Sequence, residues 1–151
     1  YMKRLFVLIP FLFLFASCSS TSYEKVDELE FDVLVDDRYV SYEQVEQSVR
    51  INNFAYEKEY AIDTKRLEPV KVKEGDRIEI VEKRYGYEPS YIHITNESNP
   101  DLVLHAKNKK SVEVDTLLPP GIWKVTVKFD EPKDKMTANA TFILKVLEPK
   151  S

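Results

Sequence analysis

From Trp123 onward this chain repeats with a period of two. Trp123, Val125, Val127 and Phe129 alternate with Lys124, Thr126 and Lys128, and Ala138, Ala140, Phe142, Leu144 and Val146 continue the pattern after a polar break. Successive side chains of a strand point to opposite faces, whereas a helix returns to one face every 3.6 residues. The pattern therefore predicts two strands, each with one apolar face, and such a face must be buried against another layer. Trp123 falls on the apolar side and is expected in the core.

The preceding residues read the same way. Val70 and Val72 lead into the turn Glu74-Gly75-Asp76, followed by Ile78 and Ile80, then Ile92 and Ile94. Leu102, Leu104 and Ala106 form a further run, and Val112 and Val114 a short one. Phe31, Val33 and Val35 alternate before Asp36-Asp37, and Phe54, Tyr56, Tyr60 and Ile62 suggest another strand after Asn52-Asn53. Short strands at this spacing, separated by turn residues, indicate a mostly β protein built as an antiparallel β-sandwich of Ig-like or jelly-roll type. With only three glycines, the turns rely on Pro, Asn and Asp. One segment departs from the pattern. Ser41-Tyr42-Glu43-Gln44 has capping-box spacing, and Tyr42, Val45 and Val49 would share a helical face. A two-turn helix over Tyr42–Arg50 is expected there, with a strand through Val49 and Ile51 as the competing reading.

The N-terminal end has a different character. After Met2, read as the start, Lys3-Arg4 precedes eleven uncharged and almost wholly apolar residues, Leu5 to Phe15, and Ala16-Ser17 leads to Cys18. A basic start, a short apolar run and a small-residue end form a secretory signal, too short for a span of about 20 apolar residues. Phe15-Ala16-Ser17-Cys18 resembles the lipobox of bacterial lipoproteins, with Phe15 where that family usually has Leu, Val or Ile. The resemblance implies a lipid on the Cys18 thiol and cleavage just before it. The expected organisation is a signal peptide over 1–17, a lipidated tether over 18–28 and a single sandwich domain over 29–148. The polar stretch from Ser19 to Lys25 could lift that domain at most ~25 Å from the lipid.

Composition narrows the partners. The leader takes Lys3 and Arg4 from the 22 basic residues, leaving 20 against 26 acidic ones, a net charge near −6. Such a surface repels nucleic acid and anionic headgroups, so nucleic acid is not an expected partner and membrane attachment falls to the lipid. With Cys18 consumed, no cysteine remains for a disulfide, a thiolate metal site or a nucleophile.

A second resemblance covers about residues 70–147. Val72-Lys73-Glu74-Gly75-Asp76, Pro100-Asp101-Leu102-Val103-Leu104, Leu118-Pro119-Pro120-Gly121-Ile122-Trp123-Lys124-Val125 and the closing strand look like the bacterial pre-peptidase C-terminal domain and related sandwiches. It implies a sandwich fold and an accessory binding role on an exported protein.

No phosphate loop, nucleophile elbow or zinc-protease signature occurs. No catalytic residue, metal site or cofactor is expected, and the chain is read as a non-enzyme. The two histidines, His93 and His105, fall opposite the apolar face on predicted strands. They form a metal pair only if those strands are adjacent, and spacing supplies no third ligand. The Asn96–Asp101 cluster offers oxygens for Ca²⁺ but reads equally well as a turn. The best binding candidates are Arg84, Tyr85, Tyr87 and Tyr91, in a connection between strands that also carries Gly86. Tyrosine and arginine provide flat contact area with polar tips, as at interfaces and sugar platforms. The competing reading has one tyrosine anchoring the loop, another on the sheet edge, and Arg84 paired with Glu88.

These features suggest a protein lipid-anchored to a bacterial membrane of the cell envelope, with the outer membrane as the expected one. Its partner would be a polysaccharide or an envelope protein. The alternative is a structural or assembly subunit of an envelope complex.

Overall fold

The computed structural model describes residues 26–107 and 110–147. Cys18, the signal peptide expected over 1–17 and the expected tether as far as Lys25 lie outside the described residues.

The described residues form eleven strands: β1 (Phe31–Val35), β2 (Arg38–Tyr39), β3 (Glu43–Ile51), β4 (Phe54–Glu59), β5 (Val70–Lys71), β6 (Arg77–Glu82), β7 (Tyr91–Asn96), β8 (Asn99–Lys107), β9 (Ser111–Glu113), β10 (Gly121–Glu131) and β11 (Met136–Leu147). They make two layers, a small sheet in the order β2-β1-β6-β9 and a large one in the order β4-β3-β11-β10-β7-β8. All these pairings are antiparallel; β5 alone adds in parallel, against the end of β11. This is the β-sandwich that the alternation requires.

Turn chemistry fits the hairpins. Asp36 and Asp37 both adopt positive φ, 50° and 64°, and Val35 pairs with Arg38. That is the two-residue primed turn whose twist matches its strands, and Asp tolerates its left-handed backbone better than bulkier residues do. At Pro119-Pro120-Gly121 the chain is tied from two sides. Asn96 Nδ2 donates to Pro119 O at 2.7 Å, and so does Trp123 Nε1, also at 2.7 Å.

The core fills the space between the sheets. On β10 only the residues alternating from Trp123 to Phe129 are buried. Phe31 of the small sheet meets Phe129 and Phe142 of the large one, with ring centroids 6.1 and 5.6 Å apart. The packed domain reaches back to Val26, which is buried with this core, three residues before Leu29.

The expected helix over Tyr42–Arg50 is corrected to a strand, β3, and the cause of the misreading is visible. The register between β3 and β11 slips between Thr141 and Phe142: Thr141 faces Glu46, yet Phe142 faces Gln44, so Val45 is extra. A bulge of this kind switches which parity faces inward. Gln47, Val49 and Ile51 are buried on one side of it. On the other side Tyr42 packs on Phe142 at 5.2 Å. Inward positions at Tyr42, then Gln47 and Val49, are no longer two apart, and the sequence there mimics a helical stripe.

Gln47 uses its inward position to hold the start of the domain. Its Oε1 accepts from Leu29 N at 2.6 Å, while its Nε2 donates to Gln44 Oε1 and Tyr60 Oη at 2.7 and 2.8 Å and shares a proton with Leu29 O at 3.3 Å. Tyr60 in turn donates to Glu28 at 2.8 Å. Burial, then this bond to Glu28, pushes the Tyr60 hydroxyl well above the usual phenol range, so it stays a donor.

Candidate functional site on the outer face of the large sheet

The four candidate binding residues fall on two kinds of structure. Arg84, Tyr85 and Tyr87 lie in the connection between β6 and β7, whereas Tyr91 is the first residue of β7. The connection is organised by Glu82, a buried carboxylate. Its Oε1 accepts from Tyr85 N and Gly86 N at 2.7 and 2.9 Å, and its Oε2 from Arg84 N and Glu30 N at 2.7 and 3.3 Å. Gly86, at φ 75°, supplies the left-handed step that turns successive N–H groups toward one anion.

The side chains then reach across to other elements. Arg84 pairs with Glu30 and Asp27, not with Glu88. Tyr85 Oη accepts from Asp27 N at 3.0 Å, and the Tyr85 and Tyr87 rings stack at 5.8 Å. Tyr87 donates to Asp134 at 2.9 Å. These contacts clasp the beginning of the domain to the loop, with both tyrosines half-buried against the core.

The broader arrangement lies on the other side of the large sheet, and it follows from register. Reading directly opposed residues from edge to edge gives one row: Glu59, Glu46, Thr141, Thr126, His93, His105. The neighbouring row runs Glu57, Ser48, Asn139, Lys128, Tyr91. Opposed residues share a face, so these side chains all project away from the core. The face grades from carboxylates at β4 and β3, through hydroxyls and a carboxamide at the centre, to lysine and histidine at β10, β7 and β8. Glu46 stands directly opposite Glu59, a like-charge pair that weakens the sheet rather than supporting it. A depression of about 560 Å³ lies over the acidic and central part, lined among others by Glu46, Ser48, Glu57, Thr126, Asn139 and Thr141.

At the opposite end, the condition for a histidine pair is met. β7 and β8 are adjacent, His93 faces His105, and their rings lie 5.6 Å apart. Tyr91 joins them: its Oη is 2.9 Å from His93 Nδ1 and 3.1 Å from His105 Nδ1. The hydroxyl has one proton to donate, so it serves one ring and accepts Nδ1–H from the other. Burial, then the facing His105, followed by Lys128 and Lys124, hold His93 below the ordinary imidazole range. The neutral ring that the shared hydrogen bonds require is thereby favoured.

The Asn96–Asp101 segment is a hairpin turn in which Asn96 is committed. It is buried; its Nδ2 serves Pro119 O and Pro120 O, and its Oδ1 accepts from Ser98 N. Its side-chain oxygen already has a partner, which removes it as a ready ligand for Ca²⁺.

Sequence reading alone did not find the central polar row. Its local trace is faint: the outward positions Ser48, Thr126, Asn139 and Thr141 are uncharged hydroxyls and an amide, where Lys and Glu are the usual choices for a solvated face. No protein-family model, curated protein or solved structure matches the chain.

Proposed function

We propose that this is a lipid-anchored protein of the bacterial cell envelope whose sandwich is a non-catalytic binding module for a polysaccharide. The observation that carries the reading is the outer face of the large sheet, where carboxylates, hydroxyls and a carboxamide line one depression at fixed register. Sugar hydroxyls both donate and accept. They suit a surface offering Glu46 and Glu57 as acceptors, with Ser48, Thr126 and Asn139 in both roles. A sheet holds such groups rigidly, which limits the entropy lost on binding. Tyr91 adds an aromatic ring at the rim of the same face, with Arg84, Tyr85 and Tyr87 holding the loop that leads into it.

The test uses the full chain and polysaccharide purified from a bacterial envelope, comparing wild type with the double variant Thr126→Val, Asn139→Ala. Both changes fall on outward positions, so the thermal midpoint is expected to move by only a few degrees. Affinity is expected to fall at least tenfold. Equal affinity for the two proteins would remove this face from the binding reaction.

Anchoring is tested separately. Cys18→Ala is expected to shift the protein from the detergent phase to the aqueous phase, because the thiol lipid supplies the attachment. Retention in the detergent phase would assign the attachment to another segment.

A second reading, docking within an envelope complex, draws on the exposed Tyr39 and Leu147, which line one depression together with Val70. Crosslinking in native envelope that captures a neighbouring protein at Tyr39, with no polysaccharide retained, would favour it.

A further inference from the structure

We propose that Tyr91, His93 and His105 form a binding site for a divalent first-row transition ion, with Cu²⁺ the strongest-bound member of the series. The inference does not depend on polysaccharide binding. Two Nδ1 atoms, on adjacent strands, converge on a single hydroxyl oxygen at 2.9 and 3.1 Å. Around an ion with bonds of about 2.0–2.1 Å, neighbouring ligand atoms stand roughly 2.9 Å apart in the square-planar shell that Cu²⁺ prefers and roughly 3.3 Å apart in a tetrahedral one. The two oxygen-to-nitrogen distances already lie within a few tenths of an ångström of either shell.

The backbone holds the three donors where they are needed. Tyr91 and His93 are two residues apart on β7, hence on one face, and His105 is directly opposite His93 on β8. Among the described residues no group of three or more His, Cys, Asp or Glu could hold a metal; here the third donor is a tyrosine. Access is open, since His105 is exposed and His93 and Tyr91 are half-buried.

The donor set selects the ion. Two imidazoles and one phenolic oxygen suit Cu²⁺, Ni²⁺ or Zn²⁺, whereas Ca²⁺ and Mg²⁺ require shells of oxygen. Lys124 and Lys128 of β10 face the cluster, with Lys128 Nζ 5.8 Å from the Tyr91 ring centroid. They oppose a second positive charge, so the ligand the site needs is the phenolate, which cancels one charge of the ion. Binding thus releases the Tyr91 proton to solvent, both rings bind through Nδ1 with their protons on Nε2, and water completes the shell.

The test titrates the full chain with CuCl₂ in a non-coordinating buffer, following heat, visible absorption and the thermal midpoint. His93 and His105 are the only histidines of the chain, so the double variant His93→Ala, His105→Ala reports binding elsewhere, Cys18 included. The expected result is one equivalent of Cu²⁺ bound with a phenolate-to-copper charge-transfer band. The midpoint should rise, and at a hundredfold excess over Kd the folded-to-unfolded ratio should grow about a hundredfold. His105→Gln, a change at an exposed position, should weaken binding at least a hundredfold while its metal-free midpoint stays put. Tyr91→Phe should abolish the band and weaken binding about tenfold. Equal Cu²⁺ binding by wild type and the double histidine variant would overturn the proposal, as would no binding at all. Tyr91→Phe binding as tightly as wild type, with no band in either protein, would overturn the three-ligand site.

Discussion

Trp123→Ala will lower the stability of the domain by about 3–5 kcal/mol, a large share of the ~5–15 kcal/mol that holds a typical domain together. Trp123 is fully buried between the sheets. Removing the indole forfeits its burial and leaves a cavity that two hydrogen-bonded layers cannot readily close. Little of the cost is polar, because the Pro119 carbonyl that loses the indole N–H keeps its bond from Asn96 at 2.7 Å. Thr126→Ala, three residues on and on the opposite face of the same strand, should cost under ~1 kcal/mol. Denaturant midpoints with unchanged slopes make the comparison. Equal midpoints for the two variants would reverse the register assigned to β10.

Glu82→Ala should have an effect of comparable size, about 3 kcal/mol or more, for a different reason. The carboxylate accepts from four backbone N–H groups, those of Glu30, Arg84, Tyr85 and Gly86. Bonds to a charged acceptor are each worth about 1.5–3 kcal/mol net, and they are not additive where water can replace some of them. Without the anion, successive N–H groups converge on an empty position, and the clasp between Asp27 and Tyr85 loses its support. Glu82→Gln should recover only part of the loss, since its NH₂ group meets donors. The check is again the denaturation midpoint. A Glu82→Ala protein within 1 kcal/mol of wild type would mean that the loop holds itself together through its tyrosines.

The two variants also mark how far the fold was legible in the sequence. Where the parity of a strand is constant, the reading succeeds: Phe31 to Val35 is expected and found as a strand, and the inward residues of β10 are those of the alternating pattern. Where parity changes, it fails. The extra residue at Val45 shifts β3 by one position and turns a strand into an apparent helix. Nothing local marks that bulge, because it is defined by the partner strand β11, nearly a hundred positions away.

The surroundings of the candidate residues likewise depend on partners distant in sequence. Arg84, Tyr85 and Tyr87 have the composition of a recognition loop, but their bonds run to Asp27, Glu30 and Asp134, distant in sequence. Tyr91 carries the same chemistry, yet the ladder places it beside two histidines. The row from Glu59 to His105 is assembled from six strands in an order unrelated to their order in the chain. Each member looks like an ordinary solvated position until the registers are known.

The central claim is that this outer face, and not the tyrosine loop, receives the polysaccharide. Amide chemical-shift mapping of the ¹⁵N-labelled protein, titrated with fragments of that polymer, tests it most directly. The changes are expected to concentrate at Ser48, Thr126, Asn139 and Thr141, on β3, β10 and β11, and to leave Arg84 to Tyr87 almost unmoved. Changes centred on Arg84, Tyr85 and Tyr87, with the sheet face silent, would contradict it.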